Sequence, residues 1–313
     1  MITTPKRVLI AGEHVAEIHD LIAAARPDLA LRLKRAVEVD AADLDWAEVY
    51  VGFRKPPVEG WGAVQWIHSI GAGVDGLVFR KPIPPGILLT KSGEDFGPAI
   101  AEWCLCRALA VNQRLADLAL DQKNRIFDRS KEPVVLRGQR VVVLGTGAVG
   151  GGIARAFGGL GCRVTGLSRS GAPRAGFASV STFADFGGAV RGADWIIAAL
   201  PLTGDSIGLL NRDRLAQCGG AYLMNVGRGA VIDEAALPDA IDQGWIRGAA
   251  LDVFAIEPLP ADSPLWQHPQ IVISPHNSGP STVPATAEGF LESLRSVERG
   301  ETPRTLVDPL AGY

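Results

Sequence analysis

Cysteine is scarce in this chain: Cys104, Cys106, Cys162 and Cys218 are the four among 313 residues. None is spaced as a C-x-x-C pair, which excludes the short thiol motifs of zinc and redox sites. Nothing near the start suggests a secreted disulfide framework, so all four read as reduced thiols in or near a core. An excess of charge of one sign is also missing. The 31 Lys+Arg against 34 Asp+Glu leave a net charge of -3 and a pI near 6.0, without the basic footprint of a nucleic-acid binder. Long apolar runs are absent too. The most apolar stretch, 141–160, is dense in glycine and interrupted by Arg155, which makes it a poor membrane span. The opening residues hold a short Val8-Leu9-Ile10 run but no long apolar signal region with a small-residue cleavage site. The expectation is a cytoplasmic protein with no metal site and neither nucleic acid nor membrane as partner.

What is present is an ordinary globular balance, 47% hydrophobic and 21% charged, with enough apolar residues for a sizeable core. A chain of 313 residues exceeds the usual domain size of about 100–150, so two domains sharing one cleft are expected. Short β-rich runs occur at 7–11, 49–52, 64–70, 87–90, 140–144, 163–167, 195–200, 221–226, 248–253 and 271–274. Helical periodicity lies between many of them, at 15–25, 148–160, 234–243 and 286–298. Such alternation predicts an α/β protein with parallel sheets covered by helices on both faces. Proline and glycine cluster at 82–86, and a long apolar helix is expected over 98–120, followed by a polar stretch. The division expected is 97–284 as one domain and 1–96 with 285–313 as the other, the last helix crossing back so that the termini lie together.

The first motif with chemistry is Gly145-Thr146-Gly147-Ala148-Val149-Gly150, between an apolar strand, Arg140 to Leu144, and a helix carrying Ile153, Ala154 and Phe157. In a dinucleotide-binding G-x-G-x-x-G turn each glycine has a reason. Gly145 permits the tight turn, Gly147 lets backbone approach a pyrophosphate, and Gly150 lets helix pack close to strand. The amides at the start of the helix, including those of Ala148 and Val149, then face the phosphates with the helix dipole behind them. A second strand at 163–167 completes the context that raises this motif above a plain glycine loop.

The end of that second strand selects the cofactor. An NAD site places a carboxylate there for the ribose 2′-hydroxyl, but the residues are Ser168-Arg169-Ser170. Arg169 pairs instead with a 2′-phosphate, flanked by two hydroxyls, and each charge-assisted hydrogen bond contributes about 1.5–3 kcal/mol. NADP(H) is therefore favoured, with NAD(H) retained as the alternative.

Three further segments hold residues suited to hydride transfer: Met224 to Gly229 with Arg228 between glycines, Ala250 to Pro258 with Asp252 and Glu257, and Ile273 to Gly279 with His276. Each follows an apolar strand, where ligands bind in open α/β sheets. Singly, the arginine reads as a turn cap, the glutamate as a solvated acid and the histidine as a core group. Together they read as a site.

At these residues the chain resembles the D-isomer-specific 2-hydroxyacid dehydrogenase family, and its glyoxylate/hydroxypyruvate reductase-like branch in particular. The matching elements are Gly71-Ala72-Gly73-Val74-Asp75, Ala101-Glu102, the glycine-rich turn, Leu200-Pro201-Leu202-Thr203, Asn225 to Gly229, Asp252-Val253-Phe254 with Glu257-Pro258, and Pro275-His276. The resemblance implies two doubly wound parallel-sheet domains with a cleft between, one a Rossmann-type nucleotide-binding domain and the other a smaller flavodoxin-like substrate-binding domain. It implies that Arg228 grips the substrate carboxylate and polarises the carbonyl, that His276 is the proton donor in reduction, and that Glu257 bonds the other imidazole nitrogen. Asp252 is implied to hold the nicotinamide carboxamide, Leu200, Pro201 and Gly279 to line the cofactor, and the backbone around Ala72 and Gly73 to receive the substrate carboxylate. The implied activity is reduction of a small 2-oxo acid, such as glyoxylate or hydroxypyruvate, to the D-2-hydroxy acid with NADPH. The implied assembly is a homodimer formed through the 98–120 helix and the polar stretch C-terminal to it.

Three departures stand out. An Asn277-Ser278-Gly279 run follows the histidine where many members have a small residue, Ser168-Arg169 replaces the common acid, and 122–132 lacks a tryptophan that many relatives carry. Phe53, Arg54, Trp66 and the Gly71 loop are candidates for the substrate pocket, and Trp103 reads as core. His14, His19, His68 and His268 read as structural or exposed, with His68 near enough to the Gly71 loop to approach the cleft. The rival readings are a phosphoglycerate or formate dehydrogenase of the same superfamily, and a nucleotide-sensing, corepressor-like interaction protein on the same scaffold. The intact Arg228, Glu257 and His276 weigh against the last.

Overall fold

The computed structural model describes residues 4–13 and 15–312; His14 lies outside the described residues. Twelve strands are found among them: β1 (Arg7–Ala11), β2 (Ala30–Lys34), β3 (Val49–Gly52), β4 (Trp66–Ser69), β5 (Leu88–Lys91), β6 (Arg140–Leu144), β7 (Arg163–Ser168), β8 (Ser179–Thr182), β9 (Trp195–Ala198), β10 (Ala221–Asn225), β11 (Ile246–Leu251) and β12 (Ile271–Ile273). They form two sheets, one of five strands in the order β2-β1-β3-β4-β5 and one of seven in the order β12-β11-β10-β9-β6-β7-β8. Every pairing within both sheets is parallel. The chain divides into two compact units, Met1–Glu94 with Ser281–Tyr313, and Asp95–Pro280.

Parallel strands buried on both faces need apolar residues at every position, because successive side chains point to opposite sides. Strand β6 meets this with Val141 and Val143 in one core and Val142 and Leu144 in the other. In the smaller sheet, Val8 and Ile10 of β1 enter one core while Leu9 and Ala11 enter the second. Both sheets are therefore doubly wound. The five-strand order is the flavodoxin-like one. The seven-strand order reverses direction at β6/β9, as a dinucleotide-binding sheet does.

Three details differ from the sequence expectations. Strands β2 and β8 have no counterpart among the expected runs; each is an edge strand with a largely half-exposed pattern that carries no apolar run. The expected 98–120 helix is two helices, Gly97–Asn112 and Leu115–Asn124, broken where Arg114 adopts a left-handed φ of 55°. The expected 234–243 helix begins as a single tight turn, Glu234–Ala236, before Leu237–Asp242. The last helix, Val283–Glu298, is capped by Thr282 Oγ1, which accepts from Ala285 N, and lays Phe290 on the ring of Trp66 at 5.3 Å between centroids.

That contact buries the pocket candidate Trp66. Trp66 is fully buried, as is His68, whose ring meets Trp66 and Phe290 edge-on and whose Nδ1 pairs with Thr90 Oγ1 at 2.8 Å. Burial holds the His68 pKa down, to about 3, so it is a neutral core histidine. Trp103 is buried as expected. Of the cysteines, Cys104 and Cys218 are buried and Cys162 half-buried, while Cys106 is exposed on the outer face of its helix, against the expectation for that thiol.

Candidate active site

The glycine-rich turn leaves β6 at the point where the sheet order reverses. Gly145 has a φ of 103°, and a Cβ there would lie 2.5 Å from Ala199 O. A Cβ on Gly150 would lie 1.9 Å from Gly145 O, so the helix Ala148–Gly159 can approach the turn only through glycine. Two residues on, Gly152 rests on the backbone of Gly97, which seats this helix against Gly97–Asn112.

Gly147 differs from its neighbours: it is exposed, and a Cβ there would meet nothing. It is also the N-cap of the helix, and no side chain caps that end. The first-turn amides thus face an open backbone surface of the kind that accepts a pyrophosphate, and these residues fit a dinucleotide.

At the end of β7, Arg169 and Ser170 are exposed and Ser168 is half-buried. Ser168 Oγ accepts from Gly171 N at 3.1 Å and Ser170 Oγ from Ala172 N at 3.2 Å, which tightens the turn around the arginine. A hydroxyl that accepts in this way still has its own hydrogen to donate.

The three strand-end segments come together within the larger unit. After β10, buried Asn225 holds the turn from both sides: its Oδ1 accepts from Gly227 N at 3.1 Å and its Nδ2 donates to Arg228 O at 3.0 Å. The glycines on either side of Arg228 have steric reasons. A Cβ on Gly227 would sit 2.6 Å from Leu200 O, and one on Gly229 would sit 1.8 Å from Phe254 C. Arg228 is thereby threaded between the turn after β9, which carries Leu200 and Pro201, and the segment after β11.

That segment places Glu257 so that Oε1 accepts from Phe254 N at 2.9 Å and Oε2 faces His276 Nδ1 at 2.9 Å. The hydrogen bond to Glu257 raises the His276 pKa above its ordinary value, against the opposing effects of burial and of the Arg228 charge. Burial works against ionisation of Glu257, yet the bonds from His276 and Phe254 N, with the charges of His276 and Arg228, leave its carboxyl below the ordinary value. Arg228 is therefore within electrostatic reach of both partners. His276 and Glu257 both keep solvent access, with side chains 45% and 33% exposed, so the pair can exchange a proton with a bound molecule. Of the other described histidines, His19 faces its sequence neighbour Asp20, whose side chain is 79% exposed, and His268 stands 3.8 Å from Asp242.

Asp252, expected beside the nicotinamide, is built into the protein interior. It has no exposed surface, and its carboxylate accepts from Ser274 Oγ, Asn277 N and Ser278 N at 2.5, 3.0 and 2.9 Å. Its oxygens hold the His276 loop. Sequence reasoning gave no role to Asn225, Ser274 or Glu234, whose Oε1 accepts from Ala255 N at 2.6 Å; Asn225 and Glu234 bond backbone groups and Ser274 bonds the distant Trp103 and Asp252, pairings that carry no sequence signature.

Ala72 and Gly73 belong to the smaller unit. Ala72 is exposed, Ser69 Oγ donates to Gly73 O at 2.8 Å, and Gly71 abuts the ring of Phe53, where a Cβ would come within 2.7 Å. Phe53 thus packs on the loop it was expected to accompany.

The sheet reversal and the glycine turn define a dinucleotide-binding α/β protein. The profile of the D-isomer specific 2-hydroxyacid dehydrogenase NAD binding domain matches residues 105–278. Glyoxylate/hydroxypyruvate reductase A of Serratia proteamaculans (strain 568) is 31% identical over 285 residues, which cover 88% of this chain and 89% of that protein. The crystal structure of a D-isomer specific 2-hydroxyacid dehydrogenase from Xanthobacter autotrophicus Py2, in complex with NADPH and MES, is 31% identical with a TM-score of 0.84, covering 99% of this chain and 100% of that one. A family protein from Aeromonas salmonicida subsp. salmonicida A449 is also 31% identical, with a TM-score of 0.82 over 98% of this chain and 100% of that one. The chain belongs to the D-isomer specific 2-hydroxyacid dehydrogenase family and is an NAD(P)-dependent enzyme of it. Among the described residues, no helix is long and apolar enough to cross a membrane, and no group of three or more His, Cys, Asp or Glu side chains could hold a metal ion.

Replacing Glu257 with Gln removes the charge that favours the imidazolium. The His276 imidazole, followed by NMR in the isolated protein, is expected to titrate at lower pH in Glu257→Gln than in the wild type; an unmoved titration would show that the 2.9 Å contact does not govern the ring.

Proposed function

We propose that this enzyme reduces a small 2-oxo acid, glyoxylate or hydroxypyruvate being the first candidates, to the D-2-hydroxy acid with NADPH. The observation that carries the reading is the 2.9 Å His276–Glu257 hydrogen bond, within electrostatic reach of Arg228, on strand-end loops of the same sheet that carries the glycine-rich turn. The names of the relatives support the substrate class, and the NADPH held by the Xanthobacter protein supports the nucleotide.

The nicotinamide, when bound, supplies the hydride that adds to C2 of the oxo acid. As the carbonyl π electrons move onto oxygen, the Arg228 guanidinium stabilises the developing charge, and it also offers a fork to the substrate carboxylate. His276, protonated through its bond to Glu257, delivers a proton from Nε2 to the alkoxide oxygen, a contribution typically of about 10²–10⁴-fold. Glu257 keeps Nδ1 occupied and the ring oriented. Ala72 and Gly73 offer backbone to the substrate carboxylate. Gly145, Gly147, Ala148, Val149 and Gly150 cradle the pyrophosphate, with Leu200, Pro201 and Gly279 beside the nucleotide. Arg169, with Ser168 and Ser170, binds the 2′-phosphate.

A second copy of the chain is the partner proposed. The helix Gly97–Asn112 is largely built into the core of its own unit, but the segment after it leaves Leu115, Leu118, Leu120, Ile126, Phe127 and Val135 exposed, Phe127 to 92%. A homodimer is expected by light scattering at twice the 33.0 kDa chain mass, with Phe127→Asp shifting it to the monomer; a wild type that runs as a monomer at all concentrations would remove this contact.

The activity is tested with a panel of 2-oxo acids assayed in parallel with NADPH and NADH. Reduction with NADPH preferred is expected, and Arg169→Ala should raise KM for NADPH by about 10–100-fold while leaving that for NADH near its starting value. Because the acid form of His276 exists below its raised pKa, kcat/KM for reduction should hold at low pH and fall as pH rises through that value. No turnover of any oxo acid with either nucleotide would overturn the reading.

A further inference from the structure

The loop that carries His276 is bound by one buried residue through three consecutive amides. His276 N donates to the main-chain oxygen of Asp252 at 2.8 Å, Asn277 N to Oδ1 at 3.0 Å and Ser278 N to Oδ2 at 2.9 Å. The binding has a task, since His276 sits at φ 53°, a left-handed conformation that a non-glycine residue keeps only where its surroundings over-determine it. The carboxylate can serve both backbone amides, those of Asn277 and Ser278, only while its plane stays fixed.

Two residues outside the reacting set fix that plane. Ser274 Oγ donates to Asp252 Oδ1 at 2.5 Å and accepts from Trp103 Nε1 at 3.2 Å. All three side chains are buried. The direction of the chain is determined by chemistry: an indole N–H only donates, a carboxylate only accepts, and the hydroxyl between them must therefore point its hydrogen at Asp252. Trp103 stands on the helix Gly97–Asn112, with the Arg107 guanidinium 4.3 Å from its ring centroid. The far end of the loop rests on the same helix, because a Cβ on Gly279 would lie 3.0 Å from Ile100 and 3.4 Å from Phe96.

We propose that Trp103 and Ser274 are positioning residues of the hydride-transfer reaction, acting through Asp252 to set the 276–278 loop and with it the contact between His276 and Glu257. The proposal rests on the reading of His276 as proton donor. It gives Asp252 a role apart from any nicotinamide contact, and it makes a buried tryptophan 171 residues from Ser274 part of the catalytic geometry. If the serine hydroxyl is removed, the carboxylate keeps only its two loop amides and can turn together with them, the Trp103 N–H loses a buried acceptor, and His276 can relax away from Glu257.

The test compares wild type with Ser274→Ala, Ser274→Thr and Trp103→Phe in the full chain. Three readouts are followed: amide exchange at 276–278, the His276 imidazole titration, and the pH profile of kcat/KM with NADPH and glyoxylate. Ser274→Ala is expected to exchange these amides about tenfold faster and to move both the imidazole titration and the alkaline limb to lower pH. It should also lower kcat about tenfold, with NADPH affinity, read by nucleotide fluorescence, kept within about twofold. Ser274→Thr, which restores the hydroxyl, should recover each of these, and Trp103→Phe should move them in the direction of Ser274→Ala by a smaller amount. Should Ser274→Ala fail to fold, Trp103→Phe carries the test. A lower unfolding midpoint with exchange, titration and pH profile unmoved would make the chain of bonds a packing feature and overturn the proposal. Exchange and titration need no turnover, so an enzyme inactive on every oxo acid would sink the proposed function while these two readouts still decide whether the clamp sets the His276 loop.

Discussion

The site depends on how closely three backbone segments approach one another at the strand ends of the larger sheet. Gly229 lies so near Phe254 that no side-chain atom fits between them, and Gly227 approaches Leu200 almost as closely. These contacts wedge Arg228 between two neighbouring turns and tie its position to the segment that presents Glu257. Asp252, one residue past β11, then reaches across to the loop after β12 and binds it through three amides. Adjacent parallel strands deliver their ends side by side, and short backbone distances convert that adjacency into a fixed arrangement of guanidinium, carboxylate and imidazole.

The electrostatics follow from this arrangement. Alone, a histidine within reach of an arginine would be discouraged from holding a proton. Glu257 reverses the balance, because its hydrogen bond to Nδ1 is the largest influence on the ring. The carboxylate in turn is steadied by Phe254 N, and Glu234 holds the next amide, at Ala255. Burial and the nearby Glu257 charge both raise the Glu234 pKa, so two acids support one short turn while only one of them touches the imidazole.

Much of this was legible in the sequence where a backbone requirement forces a residue type. Gly145 and Gly150 could be read because a turn and a close approach admit only glycine. That Arg228, Glu257 and His276 follow apolar runs and belong together could be read from the sequence, their proposed roles coming from the family resemblance, and the structure brings the three segments together. Other features left no local trace. Trp103 looked like core and is core; only the fold shows that its one polar atom points at Ser274. The edge strands β2 and β8 lack apolar runs, and neither buries a residue of its own. The break at Arg114 interrupts an otherwise helical pattern without a proline or glycine to mark it. Asp252 matched a family motif, but its burial could not be seen from its neighbours in the chain.

The central claim is that His276 acts through its contact with Glu257. Its most direct test is a double-mutant cycle in kcat/KM for oxo-acid reduction, using His276→Gln, Glu257→Gln and the pair together. If the two act as one unit, the double variant should lose no more activity than His276→Gln alone. Losses that multiply, as they would for two independent groups, would contradict the claim.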